Sequence, residues 1–441
     1  MFHRFGLFKA ALACLAVAWA GAATASAITL DGAVRQALAN NKDLRAAYFE
    51  VEKARGRLLQ AGLWPNPELE IARTTDRPFN NEKEGVLSAE FMQAFPLAGR
   101  LRLARDAARV DVARAMAEIR NRERLLIGEV QKAFIEVLSA GERTAFREAQ
   151  VRSGQELVTL AGQRLAAGQA SSVEANTAQI EIVRLRQEIA LIEVDRITAL
   201  NSLRLRLGLP PNAPLSLEGT LGQVAQKLAA APVPGAAAAL RPDVQDLALA
   251  GDRARAEAAL ARAEAWENVR VGLGIERETK ADEMGGTESM GFLGLRVAVP
   301  LPLWNRNQGR VAEQLATASQ AGAQIEALKL TIRSEMETAR ERARLLKEVL
   351  GSYNQQVLPL LQQSTDTLRS GYAVGQTNLA DIVQNRVQEF SLQASQVEAQ
   401  RNYALALVDL QVASAGSPFL KSDYLVRRTT RTKSRVKGFA K

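Results

Sequence analysis

The sequence predicts a mainly α-helical chain with a membrane β-barrel portion, arranged as a long α-helical barrel plus four strands per protomer. Three observations lead there. One pattern occurs twice, about 200 residues apart. Each copy holds two strand-like segments of alternating polarity. The stretches around them are long, poor in proline and helical in period.

The chain of 441 residues opens with an export-type signal over 1–27. Arg4 and Lys9 make a short basic start, Ala10 to Ala20 is apolar but too short to span a bilayer, and Ala25-Ser26-Ala27 is a small-x-small cleavage site. Mature chain then begins at Ile28. A lipoprotein cut before Cys14 is the competing reading, with a poor register in Ala11-Leu12-Ala13.

Duplication is visible in matched segments. Asp43-Leu44 recurs as Asp243-Val244, and Trp64-Pro65-Asn66 as Trp266-Glu267-Asn268. VLSAEFMQAFP (86–96) recurs as MGFLGLRVAVP (290–300), and LAAGQ from Leu165 as YAVGQ from Tyr372. This gives a first half-repeat over 28–208, a linker or equatorial segment over 209–240, a second half-repeat over 241–414 and a basic tail over 415–441.

Strands are expected at 67–76 and 86–95, with Pro78, Asn80, Asn81 and Gly85 in the loop between them. The second pair is expected at 268–278 and 290–299, around Gly285 and Gly286. Val269, Val271, Leu273 and Ile275 share one face, and Asn268, Arg270, Gly272 and Glu276 the other. Leu293, Leu295, Val297 and Val299 oppose Gly294 and Arg296, and Leu69 and Ile71 oppose Glu68 and Glu70. The alternation suits a membrane barrel strand, and it equally suits two soluble, half-buried hairpins. Trp64 and Trp266, at strand entry, read as interfacial belt residues or as core packing.

Helices are expected at 31–63, 98–166 and 172–208, then 242–266, 306–371 and 378–414. Gly168 and Gly375 mark the turns, with Ser171 or Ser172 as an N-cap, and Pro359 should bend its helix. In each half a helix of about 100 Å lies beside two shorter ones placed end to end. Four strands cannot close a barrel, and backbone edges left in lipid cost several kcal/mol per group. Chains must therefore pool strands, and three chains give twelve, enough to enclose a pore. Hairpins sealed against each other in one chain would remove that need.

Composition excludes much else. Lys plus Arg number 57 against 48 Asp plus Glu, yet residues 421–441 hold eight basic residues against Asp423 alone, and 1–27 hold only basic charges. Charge confined to two ends does not make a nucleic-acid face. The single Cys (Cys14) and single His (His3) both lie in the first 27 residues, so the mature chain has no zinc site, disulfide or His-dependent triad. No cofactor or metal site is read from it. Met92, Met116, Met284, Met290 and Met336 are scattered. No enzyme motif is present.

Three segments carry a family resemblance: TLDGAVRQALANN (29–41), VPLPLWNRN (299–307) and the two turns. Together with the duplication, the chain resembles the TolC family of outer membrane efflux proteins over nearly all of its mature length. AGLWPNPEL (61–69) and FPLAGR (95–100) look like the branch serving cobalt–zinc–cadmium or copper–silver export. The resemblance implies a homotrimer that sits in outer membrane lipid with its helical barrel in the periplasm. Such a trimer is a passive exit duct docked on a periplasmic adaptor and an inner membrane RND-type pump. It also implies adaptor docking at the Gly168 and Gly375 turns and a gate around Tyr372 and Asp381, with Glu174 as the equivalent acid of the first half. Gln384 stands where the archetype has a second aspartate, which weakens the acidic ring. A ring of three Asp381 carboxylates would favour cations; Asp381 and Glu174 also suit first-turn positions beside a helix dipole. An organic-substrate duct of the same fold, and a rod-like coiled-coil envelope protein, are the rival readings.

Overall fold

A computed structural model describes residues 27–76, 84–168, 171–231, 241–281, 286–373, 376–377 and 379–416. The signal residues through Ser26 (Ala25 and Cys14 among them), Pro78, Asn80, Asn81, Gly285, Gly375 and the tail from 417 lie outside the described residues. Ala27 precedes the first helix.

The elements in order are α1 (Leu30–Asn40), α2 (Lys42–Gln60), β1 (Glu68–Thr75), β2 (Gly85–Phe95), α3 (Arg100–Ala166), α4 (Ser172–Leu207), α5 (Leu221–Ala229) and α6 (Pro242–Glu264). Then come β3 (Val269–Ala281), β4 (Thr287–Ala298), α7 (Gln308–Ser352), a π-helical turn (Tyr353–Val357), α8 (Leu358–Ala373) and α9 (Leu379–Ser414). No described helix is long and apolar enough to cross a membrane.

The described chain forms two compact units, and each draws on both halves of the sequence. The first comprises 27–41, 126–231 and 340–408; the second comprises 42–125, 241–339 and 409–416.

In the first unit, Thr29 caps α1, its Oγ1 accepting from the Gly32 N–H at 3.2 Å. The helix expected over 31–63 is broken at Asn41, whose φ of −58° and ψ of 128° are not helical. The cause is a tertiary contact: Asn41 Nδ2 donates to the Arg206 carbonyl at 3.0 Å, supplying a donor to one of the orphan acceptors at the end of α4. Gly208 follows with φ +71°, and a Cβ there would lie 2.3 Å from the Asn40 carbonyl oxygen. Only glycine permits that closeness.

The expected linker over 209–240 also contains a helix. Thr220 and Gln223 form a reciprocal capping box for α5, and Leu221, Val224, Ala225 and Leu228 are buried. The Leu221 N–H donates to Glu142 Oε1 at 2.7 Å, and Lys227 pairs with Asp31 at 2.5 Å.

The helix expected over 306–371 is interrupted as well. Pro359 lacks an N–H, and its ring clashes with the carbonyl four residues earlier in a regular α-helix. The chain widens ahead of it into the π turn, where the Leu358 N–H reaches the Tyr353 carbonyl. Gln396 Nε2 on α9 donates to Asn354 Oδ1 at 2.9 Å.

In the second unit, all four strands form one antiparallel sheet in the order β1-β2-β3-β4. The two hairpins, one from each half of the sequence, join through β2 and β3, from Gly85↔Thr279 to Phe95↔Val269. They do not seal against each other: among the described residues, β1 and β4 each pair on one side only.

Four side chains clasp the helices of this unit. Arg124 (α3) donates to the Val412 carbonyl at 2.6 Å, and Arg241, just before α6, reaches the Ala413 carbonyl at 3.3 Å. Both guanidinium groups therefore sit on the open carbonyls at the end of α9, where cations are favoured. Arg241 also pairs with Asp243 at 2.6 Å and with Glu335 of α7 at 2.8 Å. Burial pushes the Asp243 carboxyl up, but the hydrogen bond and charge of Arg241, aided by Arg124, outweigh it and hold it below the usual aspartate range. Burial lowers Arg124, and Arg241 beside it lowers it further.

A carboxylate held low stabilises the fold at pH values above its ordinary pKa, and that stability is lost as pH falls through the lower folded value. Asp243→Asn should therefore destabilise the protein by about 3 kcal/mol near neutral pH, because it takes the paired carboxylate from buried Arg124 and leaves Arg241 with Glu335 alone. It should also flatten the acid limb of the stability curve. Melts followed by circular dichroism from neutral pH into acid check both.

Candidate functional site: a two-faced sheet and two helical turns

The sheet register sorts its side chains. Leu69, Phe91, Leu273 and Leu295 form one cross-strand rung, and Ile71, Ala89, Ile275 and Leu293 the next. Residues paired across strands share a face, so these rungs make a continuous apolar surface. Among the described residues nothing covers it: Leu69, Ile71, Leu273, Ile275 and Leu295 are exposed, and Leu293 is 81% exposed. Every residue of β4 is exposed. The half-buried soluble hairpin that the alternation allowed is therefore not what forms.

The opposite face is polar. Glu70, Glu90, Gly274 and Gly294 make one rung, and Glu68, Met92, Gly272 and Arg296 another. Arg296 pairs with Glu90 at 2.7 Å. The carboxylate reaches it by lying over Gly272, where a Cβ would come within 2.5 Å of Glu90 Oε1. Glycine inside a strand often marks such a close approach. This pair was not foreseen, although Gly272 in an alternating run was its visible signal.

Trp64 and Trp266 are exposed, so the core-packing alternative fails for both; Trp64 stands edge-on to Phe95 with centroids 6.0 Å apart. Trp304, within the VPLPLWNRN segment, is 85% exposed beside exposed Leu301 and Leu303.

The helical turns belong to the first unit. Gly168 ends α3 with φ +70°, and its N–H donates to the Leu165 carbonyl at 3.0 Å. Glu174 lies in the first turn of α4. Tyr372 lies at the end of α8, and Asp381 and Gln384, both exposed, lie in the first two turns of α9. The turn between α8 and α9 therefore brings Tyr372, Asp381 and Gln384 into one short stretch, while Glu174 and Gly168 flank the other turn.

Hydrogen bonds fasten the residues after α8 back onto it and, further along, tie α8 to α9. The Gln376 N–H donates to the Gly371 carbonyl at 2.8 Å, and Thr377 Oγ1 to the Leu368 carbonyl at 3.2 Å. Further along, Thr365 Oγ1 meets Asn385 Oδ1 at 3.2 Å, and Asn385 Nδ2 donates to Ser364 Oγ at 2.9 Å. No periodicity in the sequence pointed to Thr365 or Asn385, because polar pairs across a helical hairpin leave no repeat.

A cavity of about 1020 Å³ lies between α3, α4 and α9. Its charges are matched within it: Arg401 grips Glu136 through two bonds of 2.7 Å, and Arg147 meets Glu188 at 3.0 Å. Helix α4 also carries exposed Val173, Ile180, Val183, Leu191, Val194 and Ile197. Val173, Ile180 and Val194 fall at multiples of seven, the spacing of a seam that faces another helix. Among the described residues no three His, Cys, Asp or Glu are grouped to hold a metal ion.

The profile of the family described as outer membrane efflux protein matches residues 33–209 and 233–416. The chain belongs to that family. It is 25% identical over 368 residues to the cobalt-zinc-cadmium resistance protein CzcC of Cupriavidus metallidurans, covering 81% of this chain and 83% of that protein. It is 22% identical over 414 residues to the pyoverdine export outer membrane protein OpmQ of Pseudomonas aeruginosa, covering 88% and 85%. Among solved structures, CusC aligns with a TM-score of 0.72 at 19% identity, over 87% of this chain and 91% of that one. The Campylobacter jejuni CmeC outer membrane channel aligns at 0.68 and 16% identity, over 92% and 89%. The fold is that of TolC-family channels, the family is one of outer membrane efflux channels, and neither is that of an enzyme.

Proposed function

We propose that three copies of this chain form the exit duct of a tripartite efflux system and that its cargo is heavy-metal cations. The observation that carries the duct is the sheet: four strands with an apolar face, a polar face and two open edges. Three such sheets joined edge to edge give twelve strands, with the apolar faces toward lipid and the polar faces lining the pore. The seam on α4 supports helix packing between copies. The helices would occupy the periplasm and meet an adaptor at the Gly168 and Gly375 turns, with an RND-type pump in the inner membrane supplying the energy.

The metal cargo is supported by the relationship to CzcC. The protein itself would not select the metal, since its mature chain has no His or Cys. Selection would rest with the pump and adaptor, and the duct would contribute charge. Export of an organic metal chelator is the second reading, favoured by the relationship to OpmQ.

Removing the gene from its native host should lower tolerance of cobalt, zinc and cadmium and raise their cellular content, both restored by the gene in trans. Unchanged metal tolerance with loss of an exported chelator would favour the second reading instead.

The gate would lie at the α8–α9 turn. There a threefold axis makes a ring of Asp381 carboxylates, with Tyr372 and Gln384 beside it and Glu174 in the corresponding place of the other turn. Asp381→Ala should raise single-channel conductance in planar bilayers. An unchanged conductance would take Asp381 out of the gate.

A further inference from the structure

The apolar face of the sheet has a sharp polar limit. Across all four strands that face carries no acid, and its only charged residues are Arg73 and Arg277. Both fall in one rung, Arg73, Leu87, Arg277 and Gly291, and both are exposed. The strand spacing puts them about 10 Å apart. Glu276 and Glu278, the neighbours of Arg277 in sequence, point to the opposite face, where Glu278 pairs with Lys280 at 2.9 Å. Beside Arg277 the surface is open, since a Cβ on Gly291 would meet nothing within 4 Å. The next rung outward is Thr75, Gly85, Thr279 and Ser289, where the Thr279 and Ser289 hydroxyls lie 3.2 Å apart.

The height of the band places this rung. At the other end of the face stand Phe95 and Val269, with Trp64 against Phe95. The nine-residue run from Val269 to Arg277 rises about 27 Å along the strand, or about 21 Å along the normal for a strand tilted by about 40°. That is close to the roughly 25 Å apolar band of an outer membrane barrel. With the aromatic end at one interface, the arginine rung falls at the other, among headgroups. A guanidinium at that depth can grip a lipid phosphate through two parallel hydrogen bonds.

We propose that Arg73 and Arg277 bind the phosphate groups of an outer-leaflet lipid, a phosphomonoester-bearing glycolipid such as lipid A. Three chains place six guanidinium groups around the barrel at one depth. They fix how deep it sits and hold a ring of anionic lipid against it. This rests on the reading of the sheet as a membrane barrel.

The test uses the purified full chain in detergent, with bisphosphorylated lipid A and its phosphate-free counterpart as probes and native mass spectrometry as readout. Wild type should retain bisphosphorylated lipid A about tenfold or more above the phosphate-free form, and R73Q/R277Q should lose that preference. Arg277→Lys should keep part of it, and millimolar inorganic phosphate should not displace the lipid. Equal retention by wild type and the double variant, or equal retention of both lipids, would overturn the proposal. Bilayer conductance is measured alongside on both proteins. A variant that conducts like wild type but has lost the lipid preference supports the proposal with the membrane reading intact. Failure of both proteins to insert overturns that reading and the proposal with it.

Discussion

An open sheet edge is the constraint on which the rest depends. β1 and β4 each leave one row of N–H and C=O groups without a strand partner among the described residues. In water such an edge invites pairing with another chain, and in lipid it costs several kcal/mol per group. The apolar face adds a second demand, because Leu69, Ile71, Leu273, Ile275, Leu293 and Leu295 are exposed together. Lipid meets the second demand and neighbouring copies meet the first. One sheet with these two deficits is a sector of a closed barrel.

The polar face shows the chain preparing for that closure. Glu70 and Glu90 stand directly opposite each other, an unfavourable placement for like charges. Glu90 is turned away to Arg296 across the space that Gly272 leaves free. The helical part solves a different problem, that of anchoring helix ends. The last carbonyls of α9 are met by Arg124 and Arg241, whose charges are answered by Asp243 and Glu335. Buried ion pairs of this kind do little for net stability, but losing one partner is costly, so the set acts as a whole.

Strands and long helices were legible in the sequence because both depend on local period. β2 begins one residue before its expected start, and α3, α4 and α9 follow the expected spans within two residues. What was missed depended on partners distant in sequence. The break at Asn41 serves the Arg206 carbonyl, 165 residues away. The π turn was half visible: Pro359 signalled a disturbance, but the way the helix absorbs it lies in the backbone register upstream. Helix α5 could have been found, since Thr220 and Gln223 have capping-box spacing ahead of Leu221, Val224 and Leu228. The family resemblance pointed to the residues around the two turns as a candidate gate, while the polar ties of Thr365 and Asn385 needed coordinates.

Cysteine cross-linking tests edge completion most directly, because the only native cysteine, Cys14, precedes the expected mature start. One cysteine is placed on β1, at Leu69 or Ile71, and one on β4, at Leu293 or Leu295, in each combination. After oxidation in outer membranes, non-reducing gels should show covalent dimers and trimers for the combinations in register, and for neither single variant. If every combination remains at monomer mass while the proteins are folded and inserted, the edges are not completed by neighbouring copies and the account is wrong.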